Sequence, residues 1–250
     1  MPNGSAPTLP SPRLPVQGGD LLLILIVTLG SVRLLVGVLI SLAPATGGAP
    51  EAGNVLLATM GLLLFQTVVI LALLRALVIR KYGLSWAALG LRPAARHWYR
   101  RAVIVAILLL PAVALINAVL IPQLAEEPFR NPQLYAIAAS GFSWPALLAM
   151  LVMAGVIAPF GEELAFRGLL FPWLGARLGV PAGAVLSALC FAALHGVVIL
   201  IPALTVVGIA LAVLYQRCRS LWPVILAHGA FNSIMIVLLY AALAAGMKLP

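Results

Sequence analysis

The chain of 250 residues contains six acidic side chains, so the place of each one carries information. Glu162 and Glu163 stand together inside a long apolar run, in Gly161-Glu162-Glu163-Leu164-Ala165-Phe166-Arg167. Ionisable groups at membrane depth are costly unless they are paired or face a wet cavity. Glu163 and Arg167 are spaced i, i+4, which puts both side chains on one helical face within pairing reach. Glu162 is rotated by about 100° from Glu163 on a helix of about 3.6 residues per turn, which frees it to point elsewhere and makes it the candidate base. Two of the three histidines, His195 and His228, also fall in apolar runs, and Asn232 lies one turn beyond His228 on the same face. A lone intramembrane histidine is often only an interhelical hydrogen-bond partner. The set argues for chemistry: one carboxylate and two imidazoles can bind and activate a water, and a neighbouring amide can donate to a developing oxyanion.

The elements that must position these groups follow from composition. The sequence is 64% hydrophobic and 8% charged, with a mean hydropathy of +1.16, whereas soluble domains carry about 25% charged residues. The solvent is therefore a bilayer, and the unalternating apolar runs predict an all-α polytopic bundle. Seven runs qualify as spans, at 21–42, 55–79, 102–121, 144–165, 181–200, 203–215 and 221–245, the sixth being short; the expectation is seven to eight spans in one transmembrane domain over residues 20–250. Residues 1–19 hold five prolines and a single charge, Arg13, and read as a disordered tail. Ala43-Pro44-Ala45 resembles a signal-peptidase site, but the preceding run is long enough to span and contains Arg33, which argues against cleavage. Arg33 itself is expected either to reach an interface or to meet a polar partner in the bundle. The segment 167–179 mixes basic, aromatic and aliphatic residues and is expected to lie along the interface.

The net charge of +9 would raise the question of nucleic acid in a soluble protein. Here the basic residues cluster between apolar runs (Arg80, Lys81, Arg92, Arg96, Arg100, Arg101), where they orient the chain with its N-terminus and the 80–101 loop in the cytoplasm; no nucleic-acid partner is expected. Asp20, Glu51, Glu126 and Glu127 fall at span ends or in loops and read as water-solvated. His97 reads as an interfacial loop residue. Cys190 and Cys218 read as small buried residues without a disulfide.

Three motifs in order, Glu162-Glu163 with Arg167 (EExxxR), Phe191 with His195 (FxxxH) and His228 with Asn232 (HxxxN), resemble those of the CPBP intramembrane proteases, which include the CAAX prenyl endoproteases and the bacteriocin-processing and Abi proteins. They occupy residues 162–232 within an expected motif core at 144–245. The resemblance implies a peptidase acting on membrane-associated peptides or proteins, some of them lipid-modified, in the plasma membrane of a bacterium or archaeon. It implies that Glu162 and His195 activate the attacking water, that His228 and Asn232 stabilise the oxyanion, and that Glu163, Arg167 and Phe191 support them. Glu162, His195 and His228 could equally hold one Zn²⁺ with an open position, or act without metal. The site is expected to open to the cytoplasmic side.

Other chemistries fail on residue counts. Asp20 is the sole aspartate, which excludes an aspartate pair; no HExxH is present; and neither lysine belongs to a Walker A sequence. A serine–histidine protease is less easily excluded: Gly141-Phe142-Ser143 precedes a span, but Trp144 stands where a rhomboid-type site would have a second glycine. The competing reading is a silent membrane scaffold or chaperone, or a small-solute transporter, using the same polar cluster to bind. Four polar groups retained at a desolvation cost favour the enzyme.

Overall fold

The computed structural model describes residues 14–41, 52–125, 129–138 and 140–247, with the side chains of 39–41 and 52 left aside. Among these residues the chain is all-helical, with eight helices: α1 (Gly18–Ser41), α2 (Ala52–Leu74, prolonged by a π turn over Arg75–Arg80), α3 (Arg96–Leu124), α4 (Pro132–Ala138), α5 (Trp144–Leu178), α6 (Val180–Leu194), α7 (Ile201–Cys218) and α8 (Leu221–Ala244). Helices α1, α2, α3, α5, α7 and α8 are long and apolar enough to cross a membrane. The run expected to span at 181–200 is instead the 15-residue apolar helix α6, which stops at Leu194 and turns at Gly196 with φ +71°. Six long helices and one short one therefore stand where seven spans were expected.

The basic loops gather at one end of the bundle. Arg92 Nε donates to the Arg219 carbonyl, Ser220 Oγ donates to the Arg92 carbonyl, and the Leu221 amide donates to Gly90 O at 2.8 Å. Trp173 Nε1 donates to Val16 O at 2.9 Å while Arg177 lies 3.8 Å over the Trp173 ring. Because α5 and α7 both end at this face, the chain must rise and return between them, and α6 with α7 forms that hairpin.

Three expectations are corrected here, and one of the two readings of Arg33 is removed. Asp20 is not water-solvated: it is buried, accepts from Lys81 Nζ at 2.7 Å and accepts from the Tyr82 hydroxyl. That carboxylate holds the Lys81 ammonium above its ordinary pKa by hydrogen bonding. Residues 14–19 of the expected tail are packed, with Leu14 and Val16 in the core, since two apolar side chains there find an apolar seat; residues 1–13 lie outside the described residues, as do Ala43-Pro44-Ala45, Glu51, Glu126 and Glu127. Cys190 is exposed on α6, and both cysteines are free thiols. Arg33 is exposed on α1 with no hydrogen bond or ion pair to any described residue, so it does not face the bundle. His97 sits in the exposed first turn of α3.

Helix α5 decides the depth of the candidate groups. The segment 167–179 was expected at the interface, yet the helix runs without a break to Leu178, and Arg167, Gly168, Leu169 and Phe171 are buried. Two π segments interrupt α5, at Met153–Ile157 and Leu164–Leu170, each followed by a proline in the next helical turn, Pro159 and Pro172. Proline has no N–H to give to the carbonyl one turn back, and the helix answers by widening its bonding register before it. Glu162 and Glu163 sit in the six-residue α-helical piece between the two π segments.

Small residues permit the close helix contacts around this piece. A Cβ on Gly229 of α8 would collide with the Gly155 carbonyl of α5, and a Cβ on Gly208 of α7 would lie 2.6 Å from Ala188 Cβ of α6. Gly229→Ala is expected to cost about 1–3 kcal/mol through overpacking, since the obstructing atom is backbone and cannot rotate away. Gly61→Ala, where nothing lies within 4 Å, should leave the unfolding temperature in detergent unchanged or higher. Equal stability for the two variants would show that α5 and α8 are not in contact at this point.

Candidate active site

Glu163, wholly buried, is the hub of the cluster. Its Oε1 accepts from Arg167 Nη1 at 2.8 Å and lies 2.7 Å from His228 Nδ1. A carboxylate offers only lone pairs, so His228 donates through Nδ1 and turns Nε2 the other way. Nε2 faces Glu162 Oε2 at 3.9 Å. Glu163 thus holds one nitrogen of the imidazole while Glu162 faces the other. Arg167 is itself almost fully buried: Nη2 donates to Gly208 O at 3.0 Å, and the guanidinium lies 4.7 Å over the Phe191 ring. Charge-assisted bonds and a π face replace part of the water this cation has lost, and its Nε is buried with no partner among the described residues.

Glu162 differs from its neighbour. Its side chain keeps 13% of its accessibility, and it makes no hydrogen bond among the described residues. His195 is the C-cap of α6, and its Nδ1 lies 2.9 Å from the Phe191 carbonyl. A carbonyl can only accept, so Nδ1 carries the proton and Nε2 of the neutral ring carries a lone pair. Phe191 stands edge-on between the two imidazoles, 4.8 Å from His195 and 5.6 Å from His228 between ring centroids. Asn232 donates from Nδ2 to Ala154 O at 2.9 Å, a carbonyl within the first π segment of α5, which leaves its second amide hydrogen uncommitted.

All seven residues singled out in the sequence therefore lie in one neighbourhood, but not in one hydrogen-bonded network. Arg167 and His228 are both bonded to Glu163, Glu162 approaches His228, and Asn232 ties α8 to α5; His195 makes no hydrogen bond to them among the described residues, and its ring packs on Phe191. Among the described residues no three His, Cys, Asp or Glu side chains cluster tightly enough to hold a metal ion, so Glu162, His195 and His228 as placed do not form a zinc site. Ser143 is the N-cap of α5, accepting from the Ala146 amide, which accounts for it without catalysis. Glu162 also stands midway along a 35-residue helix and not near its end, because α5 continues past Arg167.

Sequence reasoning missed three features. Glu163 holds His228 as well as Arg167, a link across 65 positions that helical spacing cannot reveal. The carbonyls of Gly208 and Ala154 are bonding partners that leave no side-chain signature, although Gly208 itself marks a close approach. A groove of about 670 Å³ runs beside the cluster, lined by Tyr99 and Trp222 at one end and Gly155, Gly229 and Ser233 at the other; it contains none of the seven residues.

Comparison with known proteins bears on this geometry. Residues 143–234 match the family model described as type II CAAX prenyl endopeptidase Rce1-like. The chain is also 25% identical over 93 residues to YdiL of Bacillus subtilis (strain 168), a membrane peptidase by its name alone, an overlap of 37% of this chain and 38% of that protein. No solved structure matches the chain. The stretch that holds all seven site residues is therefore the part of the chain that is similar to the Rce1-like family.

Proposed function

We propose that the chain is an intramembrane endopeptidase acting on membrane-associated peptide or protein substrates, with water activated by Glu162 and His195. The observation that carries this reading is the contrast between the two carboxylates: Glu163 is sealed from solvent with Oε1 bonded to both Arg167 and His228, while Glu162 is part-exposed, free of hydrogen bonds among the described residues, and aimed at His228 Nε2. A carboxylate held in that state can take a proton from water.

In the proposed reaction Glu162 removes the proton as the water oxygen attacks the scissile carbonyl carbon, and the lone pair on His195 Nε2 orients that water. The carbonyl oxygen becomes an oxyanion, which accepts from the spare Asn232 amide hydrogen and from His228 Nε2 when that nitrogen carries a proton. Glu163 supports the imidazolium through Nδ1. Collapse of the tetrahedral intermediate breaks the C–N bond, and the leaving amine takes the proton from Glu162. No step requires a metal. Purified protein presented with a library of candidate peptides, beside Glu162→Ala, tests the reading: cleavage by the wild type alone supports it, and equal cleavage or none by either protein overturns it.

The basic face lies in the cytoplasm on the positive-inside rule. His228 lies seven residues above Leu221, about 10 Å along α8 from that face, which supports water entry from the cytoplasmic side. The adjoining groove, lined by Gly155 and Gly229 beside the site, suits an apolar or lipid-modified substrate tail. With Cys190 and Cys218 replaced, Leu178→Cys is expected to react with a membrane-impermeant thiol reagent in inside-out vesicles and Pro132→Cys in right-side-out cells. The reverse pattern would invert the orientation.

A further inference from the structure

We propose that Gln133 is a positioning residue for His195, and that α4 is a bracket holding the His195 turn at a set distance from the groups on α5 and α8. The inference rests on the peptidase reading and deepens it. It starts from a weakness in the cluster: His195 makes no hydrogen bond to Glu162, Glu163, His228 or Asn232 among the described residues, and its ring meets them only across Phe191. Ring-edge contacts are soft and do not fix an imidazole to the tolerance that proton transfer needs.

The backbone of His195 is equally exposed to drift. It closes α6, and the next residue, Gly196, reverses the chain at φ +71°. The last carbonyls of a helix have no intrahelical donors. One of them is satisfied from outside the helix: Gln133 Nε2 donates to the His195 carbonyl at 3.0 Å.

Gln133 is in turn held by a short helix fastened at both ends. Asn131 Oδ1 caps α4, accepting from the Gln133 amide at 3.0 Å and the Leu134 amide at 3.4 Å. At the far end the Tyr240 hydroxyl donates to the Ile137 carbonyl at 3.2 Å, and Tyr240 is a fully buried residue of α8, two turns beyond Asn232. A chain of hydrogen bonds therefore runs from α8, which carries His228 and Asn232, through Tyr240, α4 and Gln133 to the backbone of His195. This route between the two halves of the site passes outside Phe191.

Two readouts separate this proposal from the peptidase reading on which it rests. In purified protein, Gln133→Ala is expected to lower kcat about 10- to 100-fold with KM nearly constant, the scale of a displaced catalytic group. Gln133→Glu, isosteric but without the donor, should be as impaired, Gln133→Lys should recover most of the rate, and Tyr240→Phe should lower kcat in the same sense. Independently of activity, backbone amide exchange over residues 195–200 should accelerate in Gln133→Ala and not over α5 or α8. Unchanged exchange overturns the bracket whether or not the protein cleaves anything. Faster exchange with unchanged kcat, or a loss confined to KM, shows that the bracket holds the turn but does not position His195 for the reaction, and overturns the assignment. A wild type without peptidase activity defeats the peptidase reading, and with it the role assigned to Gln133, while the exchange result still reports on the bracket.

Discussion

Glu162→Gln is expected to lower kcat/KM by about 10²–10⁴-fold, the range that loss of a general base produces, while stability changes by less than about 0.5 kcal/mol. The two halves of this expectation have one cause. Glu162 makes no hydrogen bond among the described residues and stands 3.9 Å from His228 Nε2, so its charge is available to a water and supports little of the fold. Gln keeps the shape and removes the basicity. Steady-state kinetics beside thermal unfolding in detergent checks it. Full activity in Glu162→Gln, with loss of activity but not of folding in Glu163→Gln, would mean that the two carboxylates exchange roles.

Substitution of Glu163 or Arg167 should act mainly on folding. Both side chains are all but sealed from solvent, at 0% and 1% exposure, and removing either strands the other charge in the interior, at a cost of about 3–5 kcal/mol. Arg167→Ala and Glu163→Ala are therefore expected to unfold at much lower temperature than the wild type. The double replacement Glu163→Met with Arg167→Met should recover a large part of that loss, because a buried ion pair exchanged for packed apolar groups is often neutral or better. It should not recover activity, since His228 Nδ1 would have lost its acceptor. Arg167→Ala unfolding at the wild-type temperature would show that water reaches the pair.

The residues of the candidate site were legible in the chain because a bilayer leaves little room for accidental polarity. In a sequence with 8% charged residues, every acid or histidine inside an apolar run has to be accounted for, and Glu162, Glu163, Arg167, His195, His228 and Asn232 could be named from that cost alone. Helical spacing further identified Glu163 as the partner of Arg167, since i, i+4 neighbours meet whatever the rest of the fold does. The all-helical class followed from the demand that every backbone amide in hydrocarbon be satisfied within its own segment.

Tertiary structure decided what crosses between segments. The bond from Glu163 to His228 joins α5 to α8 and makes an apparent structural pair into the support of the imidazole proposed to bind the oxyanion. The depth of the site rested on α5 continuing to Leu178 through two π segments, where hydropathy had suggested an interface after Arg167. Asp20 was read as solvated because it begins a span, but Lys81 and Tyr82 from α2 enclose it. Gln133 carried no signal at all, being a polar residue in a polar connection until α4 brings it to the His195 carbonyl. The division has a physical reason. Burial cost and helical periodicity are local and are written along the chain, whereas hydrogen bonds between helices depend on packing angles and on the small residues, such as Gly155, Gly208 and Gly229, that let two backbones approach.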